Sequence, residues 1–129
     1  KMAIKRLGEE FRFAYPWKTL LDTGAKLMAG SDFPIESHNP FLGIDSFINR
    51  KANNDKETWQ KEEIISLEES LKSYCYTPHL ASGNKDSGSL ETGKRADITI
   101  IDNDLSHRDT IKDTKVLATI SNGKLTKLL

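Results

Sequence analysis

The residues with the clearest chemical content in this chain are Gly30-Ser31-Asp32-Phe33-Pro34-Ile35-Glu36-Ser37. One carboxylate, Asp32, stands between a glycine and a proline, just after the apolar run Leu27-Met28-Ala29. An apolar run ending in such a turn reads as a buried strand that presents its acid at the carboxyl end. In an α/β barrel that edge is where catalytic side chains sit. A carboxylate there can take a proton from an attacking water and return it to a departing group. The alternative is a turn-forming aspartate that hydrogen-bonds its own backbone before Phe33-Pro34. The residue alone leaves both open.

The other groups that could do chemistry are scattered. Glu36 and His38 follow in the same loop and are candidates to line a substrate pocket, against a solvated loop as the alternative. His79 follows Thr77-Pro78 and is expected to pack at a helix start. His107 lies in a polar stretch and is expected at the surface. Zinc needs three or four convergent ligands. The spacings from His38 to His79 to His107, about 40 and 30 residues, carry no ligand signal. Cys75, the single cysteine, excludes an internal disulfide framework and reads as a small buried side chain.

These groups need elements to hold them. Residues 3 to 15 form a mixed apolar and charged segment, expected to be helical and to close on Tyr15-Pro16-Trp17. Pro16 suits the first turn of a new helix, where a missing N–H is harmless. That helix should run through Leu20-Leu21 and stop at Gly24, which tolerates positive φ. Ala25 to Ala29 is then the short buried strand. After the turn, Asn39-Pro40 opens a helix with Phe41, Ile44, Phe47 and Ile48 on one face. Residues 51 to 63 are almost all polar and read as solvated. Ser66-Leu67-Glu68-Glu69 is a capping box. Its helix puts Leu67, Leu71 and Tyr74 on one side, with Cys75 beside them. Thr77-Pro78 is expected to cap a second short helical turn ending near Gly83.

Residues 84 to 89 are a Gly/Ser/Asp/Asn loop and the best boundary. Beyond it, Ala96 to Asp102 is a β-branched run. Residues 116 to 120 and 125 to 128 flank Ser121-Asn122-Gly123-Lys124. Asn-Gly between two such runs is a strong hairpin signal, because a type I′ turn needs positive φ at both central residues. Two or three strands alone do not bury a sheet face stably, so this β unit should need strands from elsewhere.

Composition narrows the class. The 129 residues fit one domain or a piece of a larger one. The 19 basic and 19 acidic side chains cancel, which argues against an electrostatic nucleic-acid or membrane-surface binder. No segment approaches the roughly 20 apolar residues that span a bilayer. The opening Lys1-Met2-Ala3-Ile4-Lys5-Arg6 is too short in its apolar part for a signal peptide, and reads as entry into the middle of a longer chain. A cytoplasmic location is the default expectation.

Several motifs in order resemble one family. Ala14-Tyr15-Pro16-Trp17, Leu20-Leu21-Asp22-Thr23-Gly24, Gly30-Ser31-Asp32-Phe33-Pro34 and Asn39-Pro40-Phe41-Leu42-Gly43-Ile44 are similar to the amidohydrolase superfamily. The narrower resemblance is to amidohydrolase family 3, the branch that includes N-substituted formamide deformylases. It continues through Leu67-Glu68-Glu69-Ser70-Leu71-Lys72-Ser73-Tyr74 and through residues 88 to 98. The resemblance implies a (β/α)8 barrel plus a β-sandwich built from both ends of the polypeptide. It implies an α/β fragment: the last barrel strand and its helices in residues 1–86, and the C-terminal sandwich strands in residues 87–129.

The family's metal site takes a His-x-His pair from the first barrel strand, ligands from middle strands and an aspartate from the last. Only the aspartate is matched here, by Asp32, as proton shuttle and metal contact. The resemblance therefore implies a divalent metal, zinc by expectation, in the intact enzyme and none on this chain alone. It implies hydrolysis of a non-peptide C–N bond in a small amide-type molecule, with the missing upstream barrel as partner and this chain inactive by itself. The alternative from the residues is a non-catalytic, self-associating α+β module for binding or assembly.

Overall fold

The computed structural model describes residues 2–51 and 57–128. The helices are α1 (Met2–Leu7), α2 (Trp17–Asp22), α3 (Pro40–Asn49) and α4 (Leu67–Ala81). Short 3-10 turns cover Gly8–Phe13, Lys61–Glu63 and Arg108–Asp113. The strands are β1 (Ile98–Ile101), β2 (Val116–Ser121) and β3 (Lys124–Leu128), in one antiparallel sheet of order β1-β2-β3. The chain is a mixed α/β structure with a small antiparallel sheet.

Helix α3 forms where its spacing predicts. Asn39 caps it, accepting from the Phe41 N–H at 3.0 Å, and Pro40 supplies a preset φ at the first position. Phe41, Ile44, Phe47 and Ile48 are buried. They form the core with Ile65 and Ile111, and Trp17, Leu27, Ala29 and Val116 pack around it. Helix α4 opens with the expected capping box: Glu69 N–H donates to Ser66 Oγ at 3.1 Å, and Ser66 N–H donates to the Glu69 carboxylate at 2.9 Å.

The hairpin also forms as read. Asn122 and Gly123 take φ of 49° and 75°, the pair of positive values that a type I′ turn requires. Asp97 holds this turn to the start of β1: its carboxylate accepts from the Asn122 N–H and from Arg95 Nε, each at 2.7 Å. The Ala96 carbonyl accepts from the Gly123 N–H at 2.9 Å.

Five local expectations are corrected. Residues 25 to 29 are extended but are not a strand. A strand needs a neighbour to exchange hydrogen bonds with. Among the described residues, the backbone ties from this segment to other elements are Ala25 N–H to the Leu20 carbonyl of α2, 3.2 Å, and Ala29 N–H to the Ser73 carbonyl of α4, 3.0 Å. The alternation survives: Leu27 and Ala29 pack on the core, while Met28 is exposed. The first segment is not one helix, because α1 gives way to a 3-10 turn at Gly8, whose φ is +56°. Thr77-Pro78 opens no second helical turn. Pro78 lies inside α4, which runs through it to Ala81.

The polar stretch from 51 to 63 is not uniformly solvated. Residues 52 to 56 of it lie outside the described residues, but Glu63 is buried. It caps α2 from a distance, accepting from the Thr19 N–H at 2.9 Å and from the Thr19 hydroxyl. Pro16, the residue before α2, supplies no side-chain cap of its own. Cys75 is exposed rather than buried. The residue lines the open cleft between the helices and the sheet.

Candidate active site

The stretch from Gly30 to Ser37 is a turn, as its Gly and Pro demand. The Asp32 carbonyl accepts from the Ile35 N–H at 2.9 Å, and the Ser31 carbonyl accepts from the Glu36 N–H at 3.2 Å. Phe33-Pro34 is a cis peptide, and Asp32 has φ of 49°. Aspartate is among the few side chains that tolerate this left-handed region. Asp32 is exposed. Among the described residues its carboxylate accepts no hydrogen bond, so the main chain alone closes the turn. The aspartate that bonds its own backbone is therefore not what the sequence placed here. The acid is free to meet a solvent molecule or a ligand.

Glu36 and His38 stand in the same loop and are exposed. The His38 ring meets the Phe33 ring edge-on, with centroids 5.5 Å apart. Asp32, Glu36 and His38 thus share one exposed loop. Ser37 Oγ accepts from the Asn39 N–H at 3.2 Å, and Asn39 in turn caps α3. The loop is continuous with a well-anchored helix.

The remaining histidines lie elsewhere. His79 sits in the last turn of α4, not at a helix start, and its Nδ1 is 3.0 Å from the buried Ser87 Oγ. Gly88, with φ of +90°, packs so closely there that a Cβ would stand 3.0 Å from the Cys75 carbonyl oxygen. His79 therefore pins the loop that leads to the sheet. His107 is exposed, as expected, 4.0 Å from Asp104. Among the described residues, no group of three or more His, Cys, Asp and Glu side chains could hold a metal ion. Asp32 can supply one ligand to a metal, and these residues do not supply the others.

A cleft of about 670 Å³ lies between the helices and the sheet, lined by Phe41, Leu71, Tyr74, His79, Ile98 and Ile101 among others. Asp32, Glu36 and His38 are not among its lining residues. Desolvation at the cleft wall pushes the Tyr74 hydroxyl above its ordinary pKa, and it does the same to the Cys75 thiol, which lines the cleft although the residue as a whole is exposed. Neither is an activated nucleophile.

Sequence reasoning missed the group that anchors the C-terminal end of α3. Arg50 is buried beneath Trp17 and Trp59, with its guanidinium carbon 4.6 and 4.9 Å from their ring centroids. A lone Arg at the end of a helical apolar face was the available signal, and it looks the same as a solvated terminus. No helix among the described residues is long and apolar enough to cross a membrane.

The amidohydrolase family model matches residues 1–126. The chain is 32% identical over 105 residues to the protein named amidohydrolase YtcJ of Bacillus subtilis (strain 168), covering 78% of this chain and 20% of that protein. It is 28% identical over 114 residues to an N-substituted formamide deformylase of Arthrobacter pascens, covering 86% of this chain and 21% of that one. It is 32% identical over 125 residues to the Arabidopsis thaliana protein LONG AFTER FAR-RED 3, covering 93% and 21%. The chain thus spans about a fifth of the length of these curated relatives. No solved structure gives a significant match. With the family model covering nearly every residue, the turn that presents Asp32 included, the chain belongs to the amidohydrolase family.

Proposed function

We propose that this chain is the C-terminal part of an amidohydrolase that cleaves a non-peptide C–N bond, of the amide or formamide type, in a small molecule. The observation that carries this reading is the free, exposed Asp32 carboxylate on a turn closed entirely by main-chain bonds. One relative is named for deformylation of N-substituted formamides.

In this reading Asp32 acts as the proton carrier. Its carboxylate takes a proton from the attacking water and delivers it to the departing nitrogen. The left-handed backbone at Asp32 and the two turn hydrogen bonds fix the main chain from which that carboxylate projects. Glu36 and His38 stand in the same loop and contact the substrate. The divalent metal that the family resemblance implies, zinc by expectation, would take Asp32 as one ligand and needs others, since among the described residues no group of three or more His, Cys, Asp and Glu side chains could hold a metal ion. The barrel that would supply them also makes the partner of this segment, and the isolated 129 residues are inactive.

The test is an assay of C–N hydrolysis by the longer polypeptide that carries this chain, with Asp32→Asn beside the parent. Loss of a general acid–base group lowers kcat by roughly 10²- to 10⁴-fold. Equal activity in both would remove Asp32 from the mechanism. Hydrolysis by the 129-residue chain alone would overturn the reading that the remainder is required.

A further inference from the structure

Two anchors hold the loop that carries Asp32, and His38 lies between them. At the near end the turn closes on main-chain bonds, from the Ile35 N–H to the Asp32 carbonyl and from the Glu36 N–H to the Ser31 carbonyl. At the far end Asn39 caps α3, and its own N–H donates to Ser37 Oγ. His38 is exposed. Among the described residues its ring nitrogens meet no hydrogen-bond partner. The imidazole instead meets the Phe33 ring edge-on, with centroids 5.5 Å apart and planes at 82°.

That separation and angle are those of an attractive aromatic pair. Both partners belong to one short loop, and the turn between them closes itself. The contact therefore needs nothing from outside the loop. Phe33 is 65% exposed, so its ring is not spent on the core, which other residues build. The turn does not need the ring either, since main-chain bonds close it.

An exposed histidine otherwise samples several rotamers. A ligand that needs one of them binds more weakly in proportion to its population. Phe33 is rooted in the hydrogen-bonded turn, one residue after the acid. A ring rooted there can hold the imidazole in one seat and leave both ring nitrogens open to a ligand. Aromatic pairing is worth roughly a twofold to tenfold bias toward such a seat.

We propose that Phe33 is the positioning residue for His38: its ring seats the imidazole beside the turn that presents Asp32, so that the substrate contact is preorganised with the acid. The proposal rests on the reading of His38 as a substrate contact for its use in hydrolysis, but the seat itself can be measured without any activity.

The experiment compares Phe33→Leu and Phe33→Tyr with the parent, in the polypeptide that carries the chain. The first readouts are cross-relaxation between the rings of residues 33 and 38 and the order parameter of the His38 ring C–H, read on selectively labelled histidine. The parent and Phe33→Tyr should show the ring-to-ring cross-peak and a well-ordered imidazole. Phe33→Leu should leave the imidazole disordered. No cross-peak in the parent, or equal order in all three, overturns the proposal.

The second readout is hydrolysis. Phe33→Leu should raise KM roughly threefold to tenfold with kcat within about twofold, because it lowers only the population of the seated ring. Phe33→Tyr should keep both at parent values. In a His38→Ala background Phe33→Leu should cost nothing further. An equal rise in both backgrounds means that Phe33 acts without His38, and overturns the proposal. If the parent polypeptide hydrolyses no C–N bond, the functional reading fails, and the ring measurements still decide the seat.

Discussion

Arg50 and Trp59 hold each other by three contacts at once. The Trp59 N–H donates to the Arg50 carbonyl at 2.9 Å, Arg50 Nε donates to the Trp59 carbonyl at 3.0 Å, and the guanidinium lies 4.9 Å from the Trp59 ring centroid. The same guanidinium donates to the Tyr15 carbonyl at 3.2 Å and to Gln60 Oε1 at 2.8 Å. One side chain thus ties the end of α3 to the segment entering α2 and to residues 59–60. Desolvation lowers the pKa of Arg50 although the charges of Glu63 and Glu62 oppose it, and an arginine so high on the scale stays charged.

Arg50→Lys should therefore be costly. A lysine offers a point charge where a planar fork serves three acceptors between two rings. Hydrogen bonds to a charged group are each worth about 1.5–3 kcal/mol. We expect a loss of about 2–3 kcal/mol in urea unfolding, with m unchanged. A loss below about 0.5 kcal/mol would mean that the cluster is not holding these segments together.

Glu63 stabilises α2 in a pH-dependent way. Burial works to raise its pKa, but the Thr19 hydroxyl, the Thr19 and Lys18 N–H groups and the charge of Arg50 outweigh it, and the net shift is downward. A carboxyl lowered on folding stabilises fully above its unfolded pKa, about 4.3. That contribution is lost as pH falls through the lower folded value. Glu63→Gln should cost about 1 kcal/mol at pH 7, the worth of a helix cap. The gap to the parent should stay flat above pH ~5 and close below pH ~4. A gap that widens in acid contradicts the assignment.

Gly43 makes room for Tyr74. A Cβ on Gly43 would stand 1.9 Å from the Tyr74 hydroxyl oxygen and 2.9 Å from its Cζ. Alanine is the better helix former by about 1 kcal/mol, yet Gly43→Ala should destabilise by about 1–3 kcal/mol through overpacking. Adding Tyr74→Phe removes the nearer clash, and should recover part of the loss in a double-mutant cycle. Additive losses would place the strain elsewhere.

Asp97 locks the hairpin turn. Its pKa is lowered chiefly by the Asn122 N–H, then by Arg95. Asp97→Ala should speed amide exchange at Asn122 and Gly123 while leaving the α3 amides at parent rates. A uniform acceleration would show global destabilisation instead. In the parent, the protection at Asn122 holds above the unfolded aspartate pKa, about 3.9, and fades as pH drops through the lower folded one.

The sequence by itself determined the elements whose signals are local. Asn39-Pro40 and the 3.6 period of Phe41, Ile44, Phe47 and Ile48 specified α3, because cap and apolar face act within one helix. Ser66 and Glu69 started α4, and Asn122-Gly123 made the hairpin, each through neighbours a few residues apart. The turn around Asp32 was legible for the same reason, and so was its chemical interest. What needed the tertiary structure were the relations across long separations. Residues 25–29 have the alternation of a strand, yet strand identity depends on a partner that pattern cannot supply. Pro78 looked like a helix start because a proline's local preference is real, and the packing of α4 overrode it. Glu63 read as part of a solvated polar stretch and Arg50 drew no reading at all, since nothing near them in sequence reveals Trp17, Tyr15 or Thr19. Burying a charge requires partners, and only the folded chain shows where they are.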